Sequence, residues 1–368
     1  MQAKTILFYT PFNLRSRDTE SLMIAFRKQG HRVISLSQQR GDFIHPYLET
    51  KGIETRSYVV EESDAFYFLK HILFLIRFCR GKRVDVVYSH LESANFVAAV
   101  ARYFIRSRVY ICRHHINEAA LYGFDRSLTY RLTYALSKKI IVVSRRALQY
   151  MVTVERVHRE RILQINLAYD FSLYAAPDES EVARIRKECG GSLLLITACR
   201  LTRYKRPEVS IELLQELRRN HVDARLILLG GGEEEDAIRA LIARMNLEDC
   251  VMMPGYVKNV PDYLAAADFV VHPSLLESSC VIVKEAGLIQ KPVIACNGIG
   301  DFDEYIVSGI NGFIVNADTF VTQSAAIIKA HMNDHERLER IGKNLNRSVH
   351  ELFSIENVIH HYDELNRG

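Results

Sequence analysis

Two glutamates, Glu277 and Glu285, stand eight residues apart in HPSLLESSCVIVKEAGLIQKPVIA (272–295), the segment richest in groups able to act on a polar substrate. A buried strand is expected to end near Pro273 and a short polar loop to carry Glu277, Ser278 and Ser279. A helix should then begin near Cys280, with Ser278 or Ser279 as its N-cap. The unpaired N–H groups of such a first turn form an anion site suited to a diphosphate. Glu285 falls about one and a half turns into that helix. Upstream, CRLTRYKRPEVSIELLQEL (199–217) places Arg200 and Lys205 in the loop after another strand. Arginine can bind phosphate bidentately and lysine can act as a point charge. Taken singly, each of these residues also fits a solvated loop or a surface helix. LILLGGGEEEDAIRALI (226–242) approaches a dinucleotide fingerprint, but Glu235 stands where a third glycine is needed, so its glycines read as a tight strand-to-helix turn.

These residues must be held by alternating strands and helices, and the chain supplies that pattern twice. In the first half KTILFYT (4–10), HRVISLS (31–37), DVVYSH (85–90), RVYICRH (108–114) and KKIIVVS (138–144) read as strands, with helical patterns between them at 19–30 and 66–80. The second half has strands at 193–198, 224–230, 251–255, 268–274, 291–296 and 312–315. Near-continuous apolar strands imply parallel sheets covered on both faces. The expected fold class is α/β, two Rossmann-like parallel-sheet domains that bind ligands at the carboxyl ends of their strands. Residues 1–175 form the first domain and 190–350 the second, with a polar linker near 171–190 and a final helical stretch, 351–368, that returns to the first domain.

In order and spacing, ACRLTRYKRP, LILLGGGEEE, PGYVKNVPDYLAAADFVVHPSLLESS, VKEAGLIQKPVIA and DEYIVSGINGFIV resemble the retaining glycosyltransferases of family 4, which have the GT-B fold. Looser matches, QGHRV, DVVYSHLES, ICRHH, IIVVS and INLAYD, extend the resemblance over most of the first half. The resemblance implies that Arg200 and Lys205 neutralise a nucleotide diphosphate, that Glu285 binds the ribose and that Glu277 binds the transferred sugar. Ser279, Cys280 and Val281 would offer backbone N–H groups to the donor, and the base would lie beside Val257 and Lys258. His114, or else His115, would contact the donor sugar. His90, His115, Arg15 and Arg17 fall on the acceptor or phosphate side. It also implies retention of anomeric configuration, no metal and no cofactor other than the nucleotide-sugar donor. The sequence departs from the family in three places. PFNLRSRDTES (11–21) replaces a Gly-Gly pair, SSC (278–280) replaces Gly-Phe-Gly, and GIGDFDE (298–304) replaces a Gly-Gly-x-x-Glu form. Asp301 and Asp303 make a D-x-D string, read as structural rather than metal-binding.

Composition narrows the setting. The 368 residues are 48% hydrophobic and 25% charged, ordinary globular material long enough for two domains. The seven cysteines make no CxxC pair, which fits a reducing compartment rather than a disulfide framework. No apolar run reaches membrane-spanning length, and MQAKTILFYTPF lacks the features of a signal peptide. Residues 1–170 carry 27 Lys and Arg against 15 Asp and Glu, while the remainder carries 21 against 29. The basic half suggests an anionic partner, and FYFLKHILFLIRFCRGKR (66–83) reads either as a helix on anionic lipid or as one buried against the sheet. With the resemblance, the expected partners are a nucleotide-sugar donor, a saccharide or lipid-linked acceptor and an anionic membrane surface, and not nucleic acid. The expected location is the cytoplasm, peripheral at the inner face of the cytoplasmic membrane, and the product a lipopolysaccharide, capsule or exopolysaccharide. A non-catalytic sugar-nucleotide-binding subunit, or an epimerase or phosphorylase of the same architecture, is the competing expectation.

Overall fold

A computed structural model describes residues 2–40, 43–114 and 124–367, the side chains of 124–127 excepted. The chain divides into two compact units, Met1–Phe171 with Phe353–Gly368, and Ser172–Leu352.

The first unit is built on a seven-stranded, fully parallel sheet. Its strands are β1 (Thr5–Thr10), β2 (Arg32–Ser37), β3 (Glu54–Ser57), β4 (Val86–His90), β5 (Arg108–Arg113), β6 (Lys139–Val142) and β7 (Ile162–Gln164). They lie in the order β3-β2-β1-β4-β5-β6-β7. The reversal of winding between β1 and β4 opens a crevice at their carboxyl ends. β3 was not expected from the sequence, because ETRS has no apolar alternation and is an edge strand held by backbone pairing to β2. One sheet face is closed by the last helix, Ile355–Arg367. Its Tyr362 packs edge-on against Phe26 and Tyr88, and Tyr88 donates from its hydroxyl to Asn366 Oδ1 at 2.9 Å. Arg108 donates to the carbonyls of Leu365 and Asn366.

Six parallel strands form the second unit. They are β8 (Leu193–Ala198), β9 (Ala224–Leu229), β10 (Val251–Gly255), β11 (Phe269–His272), β12 (Val293–Cys296) and β13 (Phe313–Val315). Their order is β10-β9-β8-β11-β12-β13, so the winding reverses between β8 and β11. The stretch read as a linker instead contains helix Glu179–Cys189, capped by the Asp178 carboxylate and tied to the sheet by Arg186, which bonds Asp268 at 2.8 Å. Its one fully buried apolar residue, Ile185, leaves too little apolar periodicity to show as a helix.

Helix Tyr67–Lys82 buries only the row His71, Leu75 and Cys79, whereas Phe66, Leu69 and Leu73 are about half exposed. It is neither wholly buried nor wholly free. Among the described residues no helix is long and apolar enough to cross a membrane.

Candidate functional site

In the second unit the winding reversal brings together the loops that follow β8 and β11. The first carries Arg200 and Lys205, and the second carries Glu277. The Lys205 ammonium pairs with Glu277 Oε1, although 72 residues separate them in sequence. His272, the last residue of β11, donates from Nε2 to the same oxygen at 2.7 Å, and Cys280 Sγ lies 3.5 Å from that nitrogen. Burial pushes the Glu277 carboxyl up, but the hydrogen bond from His272 and the charges of His272 and Lys205 outweigh it and bring its pKa down to about 2. Burial likewise opposes charge on His272, yet its contacts with Cys280 and Glu277 raise it to about 10. The result is a buried carboxylate held between the Lys205 ammonium and the His272 imidazole. His272, Glu277 and Cys280 bring nitrogen, oxygen and sulfur atoms within 4.8 Å of one another, a donor set a divalent cation could use. The Lys205 ammonium already supplies a positive charge at that carboxylate.

Glycines let these loops close. A Cβ on Gly230 would lie 2.0 Å from the Cys199 carbonyl oxygen, and one on Gly232 would lie 2.4 Å from that of Leu201. The glycine-rich turn, read from sequence as a tight strand-to-helix turn, therefore also packs directly against the Arg200 loop. Tyr256 follows β10, exposed beside half-buried Val257 and exposed Lys258, while the Gly255 carbonyl accepts from Gly230 N–H.

Helix Val281–Leu288 begins at Cys280, and neither serine caps it. The Ser279 hydroxyl instead donates to Asp301 at 2.6 Å, and Ser278 is buried. The reason is a buried ion pair that sequence reasoning missed. Lys284 Nζ lies 2.7 Å from Asp301 Oδ2, 2.9 Å from Ser279 Oγ and 3.2 Å from the Cys280 carbonyl, with both charged side chains at most 3% exposed. Asp301 therefore has a structural partner, and Asp303 accepts from Gly298 N–H. A lysine on an otherwise apolar helix face, VIVKEAGL, was the available signal for the hidden pair. Val281 is the exposed first residue of this helix, and Glu285 is half-buried one turn on from Val281.

In the first unit, His90 ends β4 and His114 follows β5. His90 Nδ1 and His114 Nε2 are 2.7 Å apart, and His114 Nδ1 is 3.7 Å from Asp18. Burial, then the neighbouring His114, holds His90 well below the ordinary histidine range. His115 lies outside the described residues. Arg17 is exposed at the start of helix Arg17–Lys28. Arg15 makes a two-pronged bond to the fully buried Glu20 and stacks 3.9 Å from the Tyr47 ring.

Two parallel sheets, each reversing its winding beside a cluster of polar loops, are the architecture of the GT-B glycosyltransferases. Anabaena HepE, solved in complex with UDP, superposes on the chain with a TM-score of 0.83 at 20% identity, covering 98% of this chain and 99% of that one. Residues 16–172 match the model Glycosyltransferase Family 4, and 179–347 match Glycosyl transferases group 1. The chain belongs to the group 1, family 4-like glycosyltransferases. The N-acetyl-alpha-D-glucosaminyl L-malate synthase of Bacillus anthracis is 24% identical over 77% of this chain and 74% of its own length. A putative colanic acid biosynthesis glycosyltransferase, WcaL of Salmonella typhimurium, is 30% identical over 42% of this chain and 40% of that enzyme. HepE has also been solved with UDP-glucose.

Proposed function

We propose that the chain moves a sugar, with retention of anomeric configuration, from a nucleotide-sugar donor to a saccharide or lipid-linked saccharide acceptor. The product would be a cell-surface polysaccharide, assembled at the inner face of the cytoplasmic membrane. The observation that carries this reading is the junction of Lys205, Glu277 and His272 at the carboxyl ends of β8 and β11, in a chain of this family. Arg200 and Lys205 neutralise the diphosphate as it leaves, and backbone N–H groups of Ser279, Cys280 and Val281 face it. Such preorganised charge is commonly the largest part of catalysis. Glu277 accepts from hydroxyls of the transferred sugar, Glu285 holds the ribose, and the base lies beside Val257 and Lys258. The sugar–phosphate bond breaks toward an oxocarbenium-like sugar, the acceptor hydroxyl attacks from the same face, and the departing phosphate oxygen takes its proton. His114 contacts the sugar, with His90 and Arg17 toward the acceptor. The reading gives the countercharge to these cations without a metal or added cofactor, and Asp301 and Asp303 already have partners of their own. WcaL, a relative named for colanic acid biosynthesis, supports the polysaccharide product.

The test compares Glu285→Ala with Glu277→Gln in nucleotide-sugar binding and turnover. Glu285→Ala should weaken donor binding about tenfold, and Glu277→Gln should mainly lower kcat. Unchanged binding and rate in both would overturn the assignment.

A further inference from the structure

The first unit has a cavity of about 440 Å³ at the carboxyl ends of its strands, within the range of small-molecule sites. It is reached by Phe12 after β1, Gln38 after β2, Val59 beyond β3, and Glu92 and Ser93 after β4. Its floor is a fixed polar network. Buried Gln38 donates to the Tyr9 hydroxyl at 2.7 Å and accepts from Ser93 Oγ at 2.7 Å and from Tyr67 at 3.2 Å. Phe12, Val59 and Phe68 expose apolar surface, and Phe68 is braced edge-on by Tyr67 and Phe96.

Charge is the informative feature. Glu61, Glu62 and Glu92 line the cavity, and no Lys, Arg or His does so among the described residues. Lys70, two residues on from Phe68, pairs with Asp64. His71, which packs against Tyr67, is kept uncharged because burial lowers its pKa to about 4. A cavity with three carboxylates therefore sits in the half of the chain that carries the excess of basic residues. The basic half had suggested an anionic partner, but among the described residues no cationic side chain lines this cavity to hold a phosphate or carboxylate.

We propose that this cavity is the acceptor subsite, and that it takes a sugar unit bearing a protonated amine and no acidic group. The apolar ring face lies on Phe68 and Phe12, hydroxyls meet the Gln38–Ser93 floor, and the ammonium faces Glu61, Glu62 and Glu92. The inference rests on the glycosyltransferase reading, since it names the acceptor of that reaction. Exposed carboxylate–ammonium contacts are worth a fraction of a kcal/mol each, so three together imply a preference of about fivefold for an amine over a hydroxyl.

The test uses the full chain at low salt and mildly acidic pH, with glucosamine, glucose and glucose 6-phosphate titrated by ligand-observed NMR. Glucosamine should bind about fivefold more tightly than glucose, and glucose 6-phosphate more weakly than either. Glu61→Gln with Glu62→Gln, on an exposed loop, should bring glucosamine and glucose most of the way together, and Phe68→Ala should weaken both. Equal or tighter binding of the phosphate, no amine preference, a preference unchanged by the double substitution, or no binding of any probe overturns the proposal. UDP is titrated in parallel. If UDP binds while the amine preference is missing, only the acceptor inference fails. If UDP does not bind, the donor reading fails with it.

Discussion

Replacing Asp301 with Asn should destabilise the second unit and loosen the donor loops together. Asp301 and Lys284 are 2.7 Å apart and almost wholly buried, so solvent screens neither charge. Removing one partner of such a pair leaves the other ionised in a poorly solvating site, at a cost of about 3–5 kcal/mol. Asparagine keeps an acceptor for Lys284 and Ser279, which places the expected loss near the lower end, about 3 kcal/mol. That is a large fraction of the roughly 5–15 kcal/mol that separates folded from unfolded domains. The same hub holds Ser279 and the Cys280 carbonyl at the start of helix Val281–Leu288, so donor affinity should fall about tenfold. The assay is urea unfolding of the full chain, resolved into the transitions of its two units, for D301N, K284M and K284M combined with Asp301→Leu. The double variant should lose much less than the sum of the single losses, because removing both charges leaves nothing unpaired. A loss below about 1 kcal/mol for D301N, or additive losses in the double variant, would refute the reasoning.

Other consequences can be checked separately. Glu277, depressed to about 2, contributes stability that is present above its ordinary value of 4.5 and lost as pH falls toward 2. His272, raised to about 10, contributes fully below 6.5 and loses its share as pH rises through 10. Melting temperature should therefore be highest between those ordinary values, and His272→Asn should flatten the alkaline limb; a limb identical to that of the unaltered protein counts against the pairing. Gly232→Ala forces a Cβ to 2.4 Å from the Leu201 carbonyl, so it should cost about 2 kcal/mol in thermal unfolding and weaken donor binding, and an unchanged melting temperature contradicts the close approach. Vesicle binding should require anionic lipid, fall with salt and weaken in Leu69→Asp with Leu73→Asp, whereas equal binding to neutral vesicles at every salt concentration removes the membrane reading.

Much of the fold was legible because parallel strands buried on both faces are near-continuous apolar runs. ILFY in β1, LLLIT in β8 and FVV in β11 advertise themselves in that way. β3 and helix Glu179–Cys189 did not, since one relies on edge pairing and the other buries little. The Glu277–Glu285 spacing and the Lys205 loop were visible as residue types at the ends of predicted strands. The grip of His272 on Glu277 was not, because a histidine at a strand end has the same appearance whether it is filler or partner.

Residue order along the chain specified the two α/β units, the loops able to meet a diphosphate and the family. Those properties depend on local periodicity and on motif spacing, which are one-dimensional. Three-dimensional folding specified which charges neutralise one another. Arg15 turned to Glu20, Lys284 found Asp301 across 17 residues and Lys205 found Glu277 across 72. It also put three carboxylates around a cavity in the basic half. Net charge sums over a whole surface, whereas a ligand responds to the few groups within several ångströms of it, and only the winding of the sheet selects those groups.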